Sequence, residues 1–353
     1  MWWLWIVGIV VALACLKIWC IGGVNRYQPD LTGKVAVVVG GTAGIGKETA
    51  RDLAKLGATV IITGRDVAKA AIVLESINSE MQVHVQAKVK PVEFVKSDCA
   101  DLSQIKEFAD QLARRYEAVD ILVNNAGLTC SELTRTKQGI ETTVGVNYIS
   151  LVYLTSLLLP QLRKAKDARI VNVSSRGYKD YLMLHDKSEY YNDFLLDEMT
   201  PERFKRFKAY TRSKLGQVYF AQNLARLFEA NGITNIKTAS LHPGVVRSEI
   251  WNRNLIPAFI EKIKIIFVPI LWLLFKSEKE GAQTSLHISC CPSEALKNGA
   301  YYCDCQVEAL KKIGTDGKLM QISWNEASNK IKQLTGHAMF EDLILPPHLD
   351  GSD

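Results

Sequence analysis

A dense basic run is missing from this 353-residue chain, in which 43 Lys+Arg against 37 Asp+Glu leave a formal charge of only +6. Nucleic acid is therefore not among the expected partners. The eight cysteines, at positions 15, 20, 99, 130, 290, 291, 303 and 305, form no C-x-x-C pair and show no zinc-ligand spacing. We assign no metal to them. Cys290-Cys291 and Cys303-Asp304-Cys305 are too irregular for a disulfide framework, and a core of this size needs no such staples. Reduced thiols in a cytosol-facing protein are the reading. Internal repeats, low-complexity tracts and interdomain linkers are missing as well. One folded domain is expected over residues 31–320, after an apolar segment at 1–24 and before a helix and polar tail at 321–353.

Charge is also missing from residues 1–16 (MWWLWIVGIVVALACL); Lys17 interrupts, and Ile18 to Val24 continues the apolar run. A helix of this length, rising ~1.5 Å per residue, is long enough for a hydrocarbon core of about 30 Å, and the tryptophans at 2, 3 and 5 suit an interface. A retained membrane anchor is the expectation. A cleaved signal peptide competes: Ala12-Leu13-Ala14 resembles a cleavage site, but the basic n-region is missing. A buried core helix fits the terminal tryptophans poorly. Lys17, Arg26 and Lys34 all follow the start of the segment, which places the bulk of the chain in the cytosol.

From Leu31 onward strands and helices alternate. The β-branched run Lys34 to Val39 enters the glycine turn Gly40-Gly41-Thr42-Ala43-Gly44-Ile45-Gly46. A helix over Lys47 to Leu56 and a strand over Thr59 to Thr63 complete a βαβ unit. Further strands are predicted at Val92 to Val95, Ile121 to Asn124, Ile170 to Val173 and Thr238 to Leu241, with helices at Leu102 to Tyr116, Thr143 to Leu162, Tyr210 to Glu229 and Trp324 to Leu334. The alternation predicts an α/β domain with a Rossmann-type, doubly wound parallel sheet. In the turn, Gly40 permits the bend, Gly44 admits a pyrophosphate to the backbone and Gly46 allows close helix packing. The spacing G-x-x-x-G-x-G is one residue wider than the dinucleotide fingerprint, and standing alone it fits a glycine-rich turn without ligand equally well. Arg65 follows the second strand where an acidic residue would bind an unphosphorylated ribose. Arginine there pairs with a 2′-phosphate, with Lys47 assisting, which favours NADP(H).

Tyr210-Thr211-Arg212-Ser213-Lys214 carries the chemistry. Helical i, i+4 spacing puts Tyr210 and Lys214 on one face, where an ammonium would favour the tyrosinate. A tyrosine with a reference pKa of about 10 needs such help to exchange protons near neutrality. Ser174-Ser175 closes the strand Ile170 to Val173 at the end where ligands collect in open α/β sheets, and a serine hydroxyl there could hydrogen-bond a developing alkoxide.

Taken together these motifs resemble the short-chain dehydrogenase/reductase family over about Leu31 to Tyr302. Val38 to Gly46 is similar to the family's glycine motif, with Val39 where threonine is usual. The resemblance implies cofactor contacts at Gly40, Thr42, Gly44, Ile45 and Gly46. It implies that Asp98 contacts adenine and that Asn124-Asn125-Ala126-Gly127 steadies the sheet and borders the adenosine. Asn147 would order a water for proton relay, and Ser175, Tyr210 and Lys214 fall on the other catalytic positions. Pro243, Gly244 and Val246 would lie near the nicotinamide. Hydride transfer is implied, with Tyr210 as acid in reduction and base in oxidation.

Within the family the likeness is to the membrane-anchored retinol dehydrogenase-like group, through Gly46 to Ala50, Ser213 to Leu215, Leu241 to Glu249, Trp272 to Lys276 and Glu280 to Leu286. That group also carries an insertion between serine and tyrosine; here Tyr178 to Lys208 is expected to form a flap beside the site. The likeness implies retinoids, steroids, polyprenoids or simple aldehydes as substrate class, and pairing of two copies through long helices including Tyr210 to Glu229. Ile263 to Phe275 is too short to span a bilayer and is open to two readings, a buried helix or a lipid-facing rim. Either favours a lipophilic substrate. His185 and His287 are isolated and read as structural or solvated. The function expected is an anchored NADP(H)-dependent oxidoreductase of lipophilic carbonyls; the alternative is a catalytically idle cofactor-binding scaffold or redox sensor.

Overall fold

β-Branched runs alternating with amphipathic stretches fold into one eight-stranded sheet in a computed structural model, which describes residues 2–84, 91–185, 191–247 and 273–346. The strands are β1 (Val35–Val39), β2 (Thr59–Gly64), β3 (Glu93–Lys96), β4 (Ile121–Asn124), β5 (Ala168–Val173), β6 (Ile236–His242), β7 (Tyr301–Cys303) and β8 (Gln306–Val307). Their order is β3-β2-β1-β4-β5-β6-β7-β8, parallel throughout except for β8 against β7. Strand order reverses between β1 and β4, and a ligand crevice forms at the carboxyl ends of strands around such a point.

The helices, in chain order, are α1 (Trp2–Ile21), α2 (Gly44–Lys55), α3 (Val67–His84), α4 (Leu102–Arg115), α5 (Thr142–Val144), α6 (Ser150–Leu157), α7 (Leu159–Lys164), α8 (Tyr181–Leu184), α9 (Arg206–Ala230), α10 (Glu278–Cys290) and α11 (Gly317–Thr335). The central strands are apolar on both faces because helices cover both. In β1, Val37 and Val39 join a core with α4, α6, α9 and α11, while Ala36 and Val38 join a second core with α2, α3 and α10. This is the period-2 alternation of a strand buried twice.

Several elements differ from expectation. The helix predicted over Thr143 to Leu162 is interrupted by a π turn at Gly145–Ile149 and again at Leu158, just before Pro160 enters the first turn of α7. Removing a backbone N–H at proline restarts a helix rather than continuing it. Helices α3 and α10 and the strands β7 and β8 were not anticipated. The helix expected over Trp324 to Leu334 is longer, Gly317–Thr335, and is capped by Asp316, which accepts from the Leu319 N–H at 2.9 Å. Residues 347–353 of the expected tail, and Ile263 to Trp272 of the apolar segment, lie outside the described residues.

The insertion is tied down from within. Arg212, buried in α9, donates from Nε to His185 Nε2 at 3.0 Å and from Nη1 to the Asn192 carbonyl at 3.2 Å and to that of Asp193. His185 stacks on Tyr181 at 4.1 Å between ring centroids, which settles it as structural. Phe194, Leu195 and Leu196 are buried; Phe194 meets Tyr148 edge-on at 6.0 Å, and the Leu195 N–H donates to Glu326 Oε2 at 3.0 Å. Residues 191–199 thus form a wedge between α9 and α11. Helix α11 itself lies along α9, with Trp324 stacked on Phe220 at 6.3 Å and on Phe340 at 5.7 Å, and Tyr148 Oη donating to the Ser323 carbonyl at 3.2 Å.

Helix α1 is apolar but for Lys17, and Trp3, Trp5, Ile6, Val7, Val11, Leu13, Leu16 and Ile18 are exposed. Among the described residues, which omit the side chains of 2, 4, 9, 10 and 19, no helix is long and apolar enough to cross a membrane.

Trp324→Ala should destabilise the protein by about 3–5 kcal/mol, the cost of emptying a large aromatic site. Denaturant unfolding followed by far-UV circular dichroism measures it; a loss below about 1 kcal/mol would show that α11 is not part of the main core.

Candidate active site

The glycine turn leaves β1 and opens α2. Gly40 has φ +77°, and a Cβ there would stand 2.9 Å from Ala126 Cα. A Cβ on Gly46 would lie 2.3 Å from the Gly40 carbonyl oxygen, so both glycines are required by close approach. Asn125 Nδ2 donates to that carbonyl at 3.0 Å and to the Val39 carbonyl at 3.3 Å, strapping the turn shut. Gly44 differs: its φ is +58°, yet nothing stands within 4 Å of where a Cβ would be. Ala43 gives α2 no side-chain cap, and no acidic residue occupies its first turn. Uncapped N–H groups beside open space suit a phosphate, so the turn fits a dinucleotide. Ile45 and Val246 pack over Gly281, where a Cβ would meet them at 3.2 and 2.6 Å.

The other expected cofactor residues divide into two groups. Thr42 Oγ1 lies 2.9 Å from where a Cβ of Gly64 would be, beside Arg65, which is exposed and has no hydrogen bond or ion pair among the described residues. Asp98 accepts from the Ala100 N–H at 2.9 Å. Gly244 has φ +92° and packs on Lys276, whose Cδ would be 2.5 Å from a Cβ; Pro243 precedes it and is buried. By contrast Asn124 is fully buried inside the sheet, donating from Nδ2 to Thr155 Oγ1 and Asn172 Oδ1, each at 3.0 Å. Its side chain cross-links β4 to β5. Lys47 is taken up by Glu278 at 2.9 Å and Glu48 at 3.3 Å rather than held out for a phosphate. Burial works against its charge, but the two carboxylates outweigh it and hold its pKa above the usual value.

Ser175, Tyr210, Lys214 and Asn147 converge at the carboxyl end of β5. Ser175 caps a 3₁₀ turn (Arg176–Asp180), its Oγ accepting from the Gly177 N–H at 3.1 Å and sharing a hydrogen bond with Tyr210. Lys214 Nζ donates to the Val173 carbonyl at 2.9 Å and lies 5.8 Å from the Tyr210 ring centroid. A Cβ on Gly127 would be 3.3 Å from that Nζ and 3.7 Å from Asn147 Oδ1. Asn147 sits in the π turn; its side chain accepts from the Leu128 N–H at 2.8 Å and donates to the Leu128 carbonyl at 2.9 Å and to Ser213 Oγ at 3.0 Å. Ser174, the other serine of the pair, points inward and donates to the Lys214 carbonyl at 2.6 Å.

Burial dominates the electrostatics. It raises the Tyr210 hydroxyl above its ordinary pKa, with the Ser175 hydrogen bond opposing. Lys214 Nζ meanwhile donates to the Val173 carbonyl, and burial pushes its pKa down to about 8. His242, buried near Arg176 and Lys276, is pushed down to about 3 and stays neutral; its Nδ1 accepts from the Arg176 N–H at 3.2 Å. That bond holds the residue following Ser175, a role not read from sequence. Gln217, which donates from Nε2 to the Asn147 carbonyl, and Ser213, which joins Asn147 to the Tyr210 carbonyl at 2.8 Å, were also missed. Their place on α9, inside or one turn beyond the Tyr-x-x-x-Lys motif, was the available signal.

A parallel sheet with a phosphate-ready glycine turn at its switch point, and a Ser–Tyr–Lys–Asn group at the next strand end, defines a nicotinamide-dependent oxidoreductase scaffold. The chain matches the short chain dehydrogenase family over residues 34–183, and it belongs to that family. It is 37% identical to human retinol dehydrogenase 12 over 311 residues, 86% of this chain and 88% of that one. With human retinol dehydrogenase 14 it shares 31% over 301 residues, 83% of this chain and 84% of that one. Among solved structures, a short chain dehydrogenase from Burkholderia cenocepacia J2315 in complex with NADP superposes with a TM-score of 0.57 at 22% identity, over 78% of this chain and 97% of that one, a likeness of fold.

Lys214 gives a prediction with a definite sign. Because burial lowers its pKa from 10.5 to about 8, the fold disfavours its charge. The penalty is absent above about pH 10.5 and fully present below about pH 8, so stability falls as pH drops through that window. Lys214→Met should therefore melt no lower than wild type at neutral pH while turnover collapses. Differential scanning calorimetry across pH tests this; a variant that melts well below wild type at neutral pH would contradict it.

Proposed function

We propose that this protein is an NADP(H)-dependent oxidoreductase interconverting a lipophilic aldehyde or ketone and its alcohol, of the retinal/retinol, steroid or polyprenoid kind. The observation that carries the reading is the meeting of Ser175, Tyr210, Lys214 and Asn147 at one strand end, next to a turn suited to a dinucleotide. When bound, the nicotinamide would supply hydride in reduction or accept it in oxidation. In reduction, Tyr210 gives its proton to the substrate oxygen while Ser175 hydrogen-bonds the same atom; in oxidation Tyr210 takes the proton back. Lys214 stands close enough to favour the tyrosinate once its ammonium turns from Val173, and Asn147 fixes the Leu128 backbone on the lysine's side. Gly40, Gly44, Gly46 and the α2 terminus would hold the pyrophosphate, Asp98 the adenine, and Pro243, Gly244 and Val246 the nicotinamide end. An exposed Arg65 beside Thr42 supports a 2′-phosphate contact and thus NADP(H). The relative bound to NADP and the retinol dehydrogenases support the same reading.

Reduction is the expected direction on the cytosolic face. The exposed apolar sides of α1 support attachment to the endoplasmic reticulum or a lipid droplet. Pairing of two copies through the α9 face at Phe220 would compete with α11, whose Trp324 stacks there.

Tyr210→Phe should lower kcat at least about 100-fold, the scale of one general acid, with NADPH affinity nearly unchanged. NADPH oxidation against a panel from short aldehydes to retinal and steroid ketones measures turnover, and fluorescence titration measures binding; undiminished turnover would refute the mechanism. Arg65→Ala should raise the KM for NADPH about tenfold and leave that for NADH alone, as loss of one charged phosphate contact requires. Equal effects on both cofactors would remove Arg65 from the 2′-phosphate site.

A further inference from the structure

The last turns of α1 are fastened to the domain. Lys17, the one charged residue of that helix, donates from Nζ to the Phe275 carbonyl at 3.2 Å and lies 3.6 Å from Glu280. The chain then runs against the β7–β8 turn. A Cβ on Gly22, whose φ is +69°, would be 2.2 Å from Asp304 Oδ1, and one on Gly23 would be 1.8 Å from the Asp304 carbonyl oxygen. Only glycine allows that approach. Asp304 pairs with the buried Lys276 at 2.5 Å, and the Lys276 N–H donates to the Val245 carbonyl at 2.9 Å, next to Gly244. Beyond the glycines, the Asn25 N–H reaches Gln283 Oε1 at 3.1 Å and Tyr27 lies 5.4 Å from the His287 ring. The end of α1 and the Pro243-Gly244 end of the site therefore share one knot of contacts.

Around that knot four aliphatic side chains stand 43–55% exposed: Val24, Val245, Leu274 and Val307. They come from four separate stretches of chain, and each lies within three residues of Gly23, Lys276, Gly244 or Asp304. Arg26 and Arg247 are exposed among them. A single exposed aliphatic residue is ordinary, but four beside the knot where an exposed apolar helix joins the domain are not. Aliphatic groups flanked by arginine match the boundary between acyl chains and phosphate headgroups.

We propose that α1 inserts into a phospholipid bilayer and that this collar rests in the bilayer surface, so that the Pro243-Gly244 end of the site opens to lipid. The proposal rests on the oxidoreductase reading and adds to it the face that meets lipid and the route of the substrate, out of the membrane rather than out of water. Lys17 and Gly22-Gly23 fix the orientation, since a loose linker would leave every face equally free to touch lipid.

Two measurements test it on the full chain in phosphatidylcholine vesicles. With a photoactivatable acyl chain in the lipid, cross-links are expected on the peptides carrying Val24, Leu274 and Val307 as well as on α1; cross-links confined to α1 overturn the collar. In the second, Leu274→Asp and Val307→Asp are combined and NADPH-linked turnover is followed. Reduction of a long-chain aldehyde dissolved in the vesicles should fall at least about fivefold, and that of hexanal supplied from water should stay within about twofold. Equal losses for both, or no change in either, overturn the collar. Failure of wild type to reduce hexanal at all would count against the oxidoreductase reading, and the cross-linking result decides the collar without it.

Discussion

Two hydrogen bonds between the end of β5 and α9 hold this site in being. Lys214 Nζ donates to the Val173 carbonyl at 2.9 Å, and the Lys214 carbonyl accepts from Ser174 Oγ at 2.6 Å. One residue thus ties helix to strand through both its side chain and its backbone. Tyr210, one turn earlier on α9, and Ser175, next after Ser174, are brought together as a result. The lysine's burial is the cost of this arrangement, and its depressed pKa is the sign of it. A group that both builds and serves a site is expected to be less stable than an apolar one of its size.

The second support comes from behind. Arg212 lies between tyrosine and lysine in sequence but on another side of α9, where it gathers His185 and the backbone at 192 and 193. The wedge then carries the helix onto α11 through Phe194 and Glu326. Within the stretch Tyr178 to Lys208, Phe194, Leu195 and Leu196 are packed into the core. The five residues of the Tyr-x-x-x-Lys motif divide their work, two toward the crevice and one toward the core.

What could be read from sequence was local. The βαβ unit, the glycine turn and the Tyr210–Lys214 pair depend on spacing within one or two elements, and these stand where the pattern put them. What could not be read depended on partners far along the chain. Lys47 looks like a phosphate ligand until Glu278 is brought beside it. That Asn124 would steady the sheet follows from the resemblance, but that it does so through Asn172 and Thr155 could not be read. The strand β7 has three residues, too few for alternation to show, and it exists because β6 offers an edge. The π turn around Asn147 leaves no periodic trace, yet it sets the direction of that side chain.

The strap from Asn125 to the Gly40 carbonyl has a thermodynamic consequence. With Gly46 pressed on the same carbonyl, the turn has few conformations to give up when a phosphate arrives. On the proposed reading, affinity for a dinucleotide would reside in that rigid backbone, and choice between dinucleotides in the side chains at the end of β2. If Arg65 makes the proposed phosphate contact, that choice is open to redesign there while the backbone of the turn stays as it is.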